Sequence, residues 1–390
     1  MLKQLAERTT HISSFYVMEL LRLAKQLEAQ GRDVIHMEIG EPDFPTPAAI
    51  CAAAVRHIQT GDVKYTPAAG LPELRQKIAD FYQQRYRVSV DARRIFVTPG
   101  ASGAFLLALG ASLNPHDELL MADPCYPCNS NFAALLGGVA KTIAVTAANQ
   151  YQLTATDIKA HWSAHTKGVL VASPSNPTGT LIAPTALQQA IQTTQALGGY
   201  FYSDEIYHGL VYGTEATTAL AFSDEVLVIN SFSKYFGMTG WRVGWLVVPE
   251  HFVEVTEKLA QNIFIATATP SQYAALAAFD DSTLAELEQR RLAFAQRRDF
   301  LYAELTRLGF DIAVKPEGAF YIYANCQKLT DDSHQFALDF LAAEAVAITP
   351  GIDFGHHNAQ QMLRFAYTTS IDRIGDAMQR LERFINRERP

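Results

Sequence analysis

Cysteine is scarce in this sequence, and its scarcity excludes a disulfide framework. The 390 residues include 4 cysteines, too few to cross-link a chain of this length. Cys125 and Cys128 form a C-x-x-C pair, but a proline lies between them and no second pair accompanies it. We therefore interpret them as small loop residues rather than as a redox or zinc site. His356 and His357 are adjacent and cannot face one metal ion as histidines on the same face of a helix can, so no metal site is predicted.

Basic runs and long apolar runs are also missing. The formal net charge is −8, and no stretch of lysine and arginine is interleaved with aromatic residues, so nucleic-acid binding is not predicted. No run of about 18 apolar residues is present that could span a membrane. The first residues mix charged and polar side chains and lack the apolar stretch and cleavage site of a secretory signal. We therefore expect a cytoplasmic protein with neither a nucleic-acid nor a membrane partner.

Hydrophobic residues, in contrast, are plentiful. They make up 48% of the chain, enough for large cores in two or three domains. Short apolar runs alternate with helix-length segments between residues 94 and 248. This alternation predicts an α/β domain around a mostly parallel sheet of about seven strands flanked by helices. A long helical segment from Ser282 to Phe310 follows, and the later runs FDIAV, AFYIYA, VAITP and LRFAYT predict the strands of a smaller α+β domain.

The same pattern predicts the domain boundaries. Residues 1–45 are expected to form an N-terminal arm and a helix that packs with the smaller domain. Residues 46–281 would form the large domain and residues 282–390 the smaller one, so that both chain ends contribute to the smaller domain. Ligands of such sheets bind beyond the carboxyl ends of the parallel strands, so the loops that follow those strands are the candidate site.

Two polar loops follow adjacent predicted strands of the large domain. SPSNPTG, residues 173–179, is a turn that presents Asn176. SDEIYHG, residues 203–209, places Asp204 at the carboxyl end of a strand, with Tyr207 three residues later. Taken alone, the turn is weak evidence for a site, and Asp204 would equally suit a helix N-cap.

A third loop, SFSKYFGMTGWRVG, surrounds a single lysine. Lys234 is preceded by Ser231 and Ser233 and followed by Arg242. A lysine amine acts as a nucleophile or base only where burial or nearby positive charge lowers its pKa, so this loop is a candidate Schiff-base site. Together the three loops offer an amide, a carboxylate with a phenol, and a lysine with hydroxyls and a guanidinium. These are the groups that pyridoxal 5'-phosphate needs.

The segment VTPGASGAF, residues 97–105, is a candidate phosphate site. It runs from a predicted strand into an apolar helix, where the backbone N–H groups of Ala101 and Ser102 would be free to bind an anion. The plain alternative is an ordinary strand-to-helix turn. The segment does not supply the G-x-G-x-x-G pattern of a dinucleotide site.

The motifs GEPDFPTP, KYTPAAGLPELR, DPCYPCN, SPSNPTG, SDEIY, SFSKYFGMTGWRVG and LRFAYT occur in this order along nearly the whole chain. In order and spacing the sequence resembles the class I/II aminotransferases, pyridoxal-phosphate-dependent enzymes with the aspartate aminotransferase fold (fold type I). No single motif is decisive, but SPSNPTG, SDEIY and the lysine loop together are highly specific.

The resemblance implies how the cofactor would be held. Lys234 would bind the cofactor's aldehyde and serve as the catalytic base. Asp204 would pair with the ring nitrogen, and Tyr207 and Asn176 would reach the phenolate oxygen. The positions implied for the phosphate are Ser231, Ser233, Arg242 and the amides of Ala101 and Ser102.

The resemblance also implies substrate and subunit contacts. Tyr126 would stack on the cofactor ring, and Arg364 would bind the α-carboxylate of the substrate. The backbone of Gly40 and the side chain of Asn176 would lie beside the bound substrate. Tyr65 matches a tyrosine that crosses from the neighbouring subunit to the phosphate, so a homodimer with shared active sites is implied.

Structural alternatives exist for several of these residues. Arg242 and Arg364 could be surface ion-pair partners, but each lies in an apolar run where an unpaired charge would be costly. Tyr65 and Tyr126 could be ordinary core aromatics, and Ser233 could cap a turn.

The predicted reaction is amino-group transfer between an L-amino acid and a 2-oxo acid by a ping-pong mechanism. Some aspartate-preferring relatives carry a lysine at the position of Ser102, so the serine favours neutral or aromatic amino acids. The same cofactor also supports elimination reactions such as C–S bond cleavage, which similarity of fold does not exclude. A cofactor-sensing regulator is a further alternative, but GEPDF begins by residue 40, and we expect no DNA-binding domain ahead of it.

Overall fold

The structure is a computed structural model that describes residues 5–388. The chain alternates strands with helices through most of its length. The helices are α1 Tyr16–Ala29, α2 Ala48–Gln59, α3 Pro72–Tyr86, α4 Gly100–Gly110, α5 Pro127–Leu135, α6 Ala155–His161, α7 Pro184–Ala196, α8 Val253–Ile263, α9 Thr269–Leu276, α10 Asp281–Arg307, α11 Ser333–Glu344 and α12 Ile371–Glu388. The strands are β1 Ile35–His36, β2 Ile95–Thr98, β3 Glu118–Asp123, β4 Val139–Ala144, β5 Thr166–Ala172, β6 Tyr200–Asp204, β7 Val226–Ser231, β8 Gly244–Val247, β9 Tyr321–Asn325, β10 Val346–Ala347, β11 Thr349–Pro350 and β12 Met362–Ala366.

Seven strands form one sheet in the order β2-β8-β7-β6-β5-β3-β4. All of them run parallel except β8, which lies antiparallel between β2 and β7. Strands β7 and β8 are buried along their whole length, and β5 and β6 along most of theirs, because helices cover both faces of such a sheet. The predicted α/β fold with a mostly parallel seven-stranded sheet is therefore confirmed.

Two smaller sheets are built from the ends of the chain. Strands β11, β12 and β9 form an antiparallel sheet, with Arg364 of β12 opposite Tyr323 of β9. Strand β1 pairs parallel with β10, Ile35 opposite Val346, so the N-terminal segment joins the C-terminal part of the chain. The C-terminal helix α12 packs on α10 and α11.

Most predicted elements are present, with shifted ends. The helix expected over 282–310 is α10, 281–307, and the AFYIYA and LRFAYT runs are β9 and β12. The strand expected at FDIAV is wrong: Asp311 forms only an isolated bridge with Asn325, and the rest of that run is irregular. Among residues 5–388, no helix combines the length and the apolar character needed to cross a bilayer.

Candidate functional site

The three predicted loops meet at one edge of the large sheet. Strands β5, β6 and β7 are neighbours and run parallel, so their carboxyl ends lie side by side. Asp204 ends β6, Ser231 ends β7, and Asn176 lies four residues beyond the end of β5. A cavity of about 520 Å³ opens there. Of the residues singled out from the sequence, those that line it are Gly40, Ala101, Ser102, Tyr126, Asn176, Asp204, Tyr207, Ser231, Ser233, Lys234, Arg242 and Arg364.

Lys234 projects its amine into this cavity. Its Nζ donates a hydrogen bond to the Gly40 carbonyl at 2.6 Å and lies 5.8 Å from the centroid of the Tyr207 ring. The pKa of Lys234 is lowered to about 8, chiefly by burial and also by the positive charges of Arg364 and Arg242, against Glu41 and Asp204, which raise it. A neutral amine is therefore accessible close to neutral pH.

Asp204 is a buried acid, 4% exposed, at the carboxyl end of β6. One carboxylate oxygen accepts a hydrogen bond from the Ile206 N–H at 3.2 Å. A turn and not a helix follows at residues 206–209, so the helix N-cap alternative is wrong. Burial raises the pKa of Asp204 to about 7, while the Ile206 N–H and the charge of Lys234 lower it. A carboxylate in this setting favours a cationic partner, since a charge held nearby would offset the lost hydration.

A cradle for an anion lies at the start of α4. It consists of the N–H groups of Ala101 and Ser102, the Arg242 guanidinium and the hydroxyls of Ser231 and Ser233. The two hydroxyls are 2.9 Å apart. Gly100 opens the helix with φ +67°, and a Cβ there would lie 2.5 Å from Nη2 of Arg242, so only glycine lets the guanidinium approach this closely. Helix N–H groups, hydroxyls and a guanidinium together suit a phosphate.

Arg242 itself differs from the sequence-based expectation. The apolar run predicted a buried, costly charge, but the side chain is exposed and donates to the Thr239 carbonyl at 3.1 Å. Its exposed head lies beside the cavity because residue 242 precedes β8 and has φ +51°, which turns the chain.

Arg364 is buried, 4% exposed. It donates one hydrogen bond to Oδ1 of Asn176 at 2.9 Å and another to the Glu38 carbonyl. Its guanidinium carbon lies 4.3 Å from the Tyr321 ring centroid and 4.6 Å from that of Phe354, while Nε has no partner among the described residues. A planar fork stacked between two rings, with unused donor capacity at the cavity, suits a carboxylate.

Two tyrosines border the cavity between Lys234 and Arg364. The hydroxyls of Tyr207 and Tyr321 are 2.8 Å apart. Burial raises the pKa of both phenols, that of Tyr207 well above its ordinary value. The backbone of Gly40 lies against this pair, since a Cβ on residue 40 would overlap the Tyr321 hydroxyl. Tyr126 is half-buried, and its ring stacks with Phe15 at a centroid distance of 6.2 Å.

Sequence reasoning missed part of the cavity wall. Tyr321, Asp353 and Phe354 line it, as do Phe15, Val17, Met18 and Leu21 from the N-terminal segment and α1. Tyr321 could have been found from the AFYIYA run, because β9 carries Tyr321 and Tyr323 on one face. The N-terminal contribution carries no motif.

Tyr65 is not brought to the cavity. Its side chain is 81% exposed and is absent from the lining of the cavity, so within one chain it does not contact the other predicted residues.

Comparison with known proteins gives concordant matches. Residues 32–381 match the family model described as aminotransferase class I and II. The chain is 36% identical over 98% of its length to the whole of a (5-formylfuran-3-yl)methyl phosphate transaminase of Methanocaldococcus jannaschii. It is also 36% identical over 95% of its length to 96% of a valine–pyruvate aminotransferase of Mycobacterium tuberculosis. The solved structure of an aspartate aminotransferase from Thermotoga maritima superimposes with a TM-score of 0.92, at 34% identity, covering 98% of this chain and all of that one.

Proposed function

Since this chain belongs to the class I and II aminotransferases and is an amino-group transferase, we propose that it works with pyridoxal 5'-phosphate on neutral or aromatic L-amino acids. The observation that carries the proposal is the arrangement in one cavity of a lysine with a lowered pKa, a buried aspartate and an anion cradle. These are the three attachment points of the cofactor: its aldehyde, its ring nitrogen and its phosphate.

The residues present fit this cofactor. Asp204 is a buried carboxylate that gains from a cation, as a protonated ring nitrogen would be. Gly100 has no side chain, so the guanidinium of Arg242 lies close to the start of α4. A phosphate could bind there to the guanidinium and to the free N–H groups of the helix. We propose Ser231, Ser233, Arg242, Ala101 and Ser102 as its phosphate contacts.

When bound, pyridoxal phosphate supplies an aldehyde and a protonated ring that withdraws electrons from the substrate's α-carbon. Lys234 acts as the general base that removes the α-proton and returns it; its lowered pKa keeps a neutral amine available. Asp204 would hold the proton on the ring nitrogen. Tyr207 and Asn176 would donate hydrogen bonds to the phenolate oxygen.

Arg364 holds the substrate's α-carboxylate. Asn176, the Glu38 carbonyl and the two rings fix its guanidinium in one plane, so a carboxylate bound there would be held in one orientation relative to Lys234. Tyr126 covers the face of the cofactor ring, and the Gly40 backbone lies beside the bound substrate. Lys234, Asp204 and Tyr207 are the proposed catalytic residues.

The preference for neutral or aromatic substrates rests on the rest of the wall. Phe15, Val17, Met18 and Phe354 are apolar, and Ser102 carries no charge. Among the described residues, the cations at the cavity are Lys234, Arg242 and Arg364, each of which has a role above. A second carboxylate on the substrate would therefore meet apolar groups.

We further propose a cytoplasmic homodimer. Val55, Ile58, Val63 and Tyr65, on and just after α2, have exposed apolar side chains, which a second subunit would cover. Tyr65 would then reach the phosphate of the partner's site. For the domains we propose 1–45 as N-terminal arm and helix, 46–281 as large domain and 282–390 as smaller domain.

The test is a panel of amino donors with pyruvate and 2-oxoglutarate as acceptors, run with the purified protein and pyridoxal phosphate. We expect oxo acid formation from phenylalanine, leucine or alanine in preference to aspartate. A strong preference for aspartate would refute the substrate assignment. Borohydride treatment should fix the cofactor to the peptide that contains Lys234, and failure to do so would refute the cofactor assignment.

A further inference from the structure

The start of helix α1 forms one side of the cavity. Phe15, Val17, Met18 and Leu21 contact it, so the position of this helix sets the space available for a substrate side chain. Phe15 occupies the N-cap position and has no side-chain oxygen to accept the free N–H groups of the first turn. The helix therefore needs a partner from elsewhere in the chain.

Asp353 is that partner. Its Oδ1 accepts the Tyr16 N–H at 2.8 Å, and its side chain is 7% exposed. A carboxylate at the first turn also stabilises a helix through the helix dipole. Burial raises the pKa of Asp353, and the N–H groups of Tyr16 and Val17 oppose that rise. The next residue, Phe354, lies under the guanidinium of Arg364.

The loop that carries Asp353 is fastened to the large sheet. Asp123, at the end of β3, accepts the His356 N–H at 3.0 Å, and the Cys125 N–H donates to the Phe354 carbonyl at 2.8 Å. Asp353 therefore has a fixed position relative to Tyr126, which follows the same strand. Phe15 stacks on Tyr126 with an angle of 14° between the rings, so the helix start, the loop and Tyr126 form one connected wall.

We propose that Asp353 is a positioning residue for the substrate side chain: by accepting the Tyr16 N–H it holds Phe15 against Tyr126 and completes an apolar subsite for large side chains. This inference rests on the proposed function and adds to it the residue that selects the size of the amino donor. Alanine has no side chain that reaches this wall, whereas phenylalanine does. Asp353 should therefore affect the two donors differently.

The experiment compares the cofactor-loaded wild type with Asp353→Ala, Asp353→Asn and a control, Asp91→Ala. Asp91 also accepts a backbone N–H, that of Arg93 at 2.8 Å, but it precedes β2 at the edge of the sheet away from the cavity. For each protein, kcat/KM is measured with phenylalanine and with alanine. Hydrogen–deuterium exchange is followed for peptides covering residues 13–21 and, for comparison, α10.

Loss of a helix cap lowers the equilibrium constant for forming the first turn by about fivefold. Asp353→Ala should therefore lower the ratio of kcat/KM for phenylalanine over alanine by about fivefold or more. Exchange should accelerate in residues 13–21 and not in α10. Asp353→Asn keeps an acceptor oxygen and should hold the ratio within about twofold of the wild type, and Asp91→Ala should leave it unchanged.

An unchanged ratio in Asp353→Ala, an equal loss with both donors, or unchanged exchange in residues 13–21 would overturn the inference. A wild type that transfers no amino group from any donor would instead refute the proposed function. The exchange measurement does not depend on activity, so the two failures are distinguishable.

Discussion

Replacing Lys234 with methionine should stabilise the cofactor-free protein. Burial lowers the pKa of Lys234 from 10.5 to about 8, which means that the folded protein binds this proton less tightly than the unfolded chain. The difference of about 2.5 in pKa corresponds to about 3 kcal/mol of destabilisation when the lysine is charged. Methionine has a similar length and no charge.

The net gain is smaller than that figure. Lys234 as a whole residue is only partly buried and borders the open cavity, which reduces the cost of its charge. The substitution also removes the hydrogen bond to the Gly40 carbonyl, worth about 1 kcal/mol. We expect a net gain of about 1–2 kcal/mol at pH 7.

The gain should depend on pH with a defined sign. Below pH 8 both folded and unfolded chains carry the charge, and the penalty of burying it is complete. Between pH 8 and 10.5 the folded protein loses the proton while the unfolded chain retains it, so the penalty declines. The charge penalty should therefore fall to about half or less between pH 7 and pH 9.5. Since the lost hydrogen bond does not depend on this titration, the advantage of Lys234→Met should fall to near zero at pH 9.5.

The assay is denaturant unfolding of cofactor-stripped wild type and Lys234→Met at both pH values. Lys258→Met replaces an exposed lysine of α8 and serves as the control, with a change below about 0.5 kcal/mol expected. A Lys234→Met protein that is less stable than the wild type at pH 7, or a gain that grows with pH, would refute the reasoning.

Three further predictions concern single residues. Asp204→Ala should still bind the cofactor through Lys234 but lower kcat at least about 100-fold, and near-normal kcat would contradict the assigned role. Arg364→Lys should raise KM for the amino donor about tenfold or more with a smaller effect on kcat, since an ammonium cannot replace the planar fork; an unchanged KM would argue against carboxylate binding. His36 bridges Glu38 and Glu28, and its pKa is raised, chiefly by the hydrogen bond to Glu38. Its contribution to stability is therefore complete below pH 6.5 and lost as the pH rises through the raised value. Unfolding of wild type and His36→Gln should differ more at pH 6 than at pH 8.5, and a difference that grows at high pH would be incompatible with this sign.

The chemistry at the strand ends could be predicted from the sequence because position and residue type are both local there. Asp204 and Ser231 end strands whose apolar runs are evident, and parallel pairing brings such ends together. The turn at Asn176 and the loop around Lys234 were predicted for the same reason. The prediction of a strand at FDIAV was wrong, because a short apolar run forms a strand only where a neighbouring strand has a free edge to pair with. Asp311 forms only a single isolated bridge, with Asn325.

Other parts of the cavity depend on distant contacts. The pairing of Asp353 with Tyr16 spans 337 residues of sequence, and no pattern in either segment indicates it. Tyr321 was visible as a strand residue, but its contact with Tyr207 depends on how β9 lies against the large sheet. Arg242 was expected to be buried because its neighbours are apolar, whereas the turn at its own backbone directs the side chain outward. Tyr65 stays a prediction that needs a second chain.

The antiparallel strand β8 has a consequence for engineering. Ser231 of β7 is in register with Gly244 of β8, so residues 232–243 leave and re-enter the sheet at adjoining points. Lys234, the proposed base, and Arg242, a proposed phosphate ligand, therefore lie in the same loop, whose two ends are fixed by the pairing of β7 with β8. Inserting or deleting a residue in this loop would displace both groups together, whereas a change of length in the segment before α1 would move neither. Variant libraries intended to change which amino donors are accepted should therefore vary the N-terminal segment and keep the length of the loop.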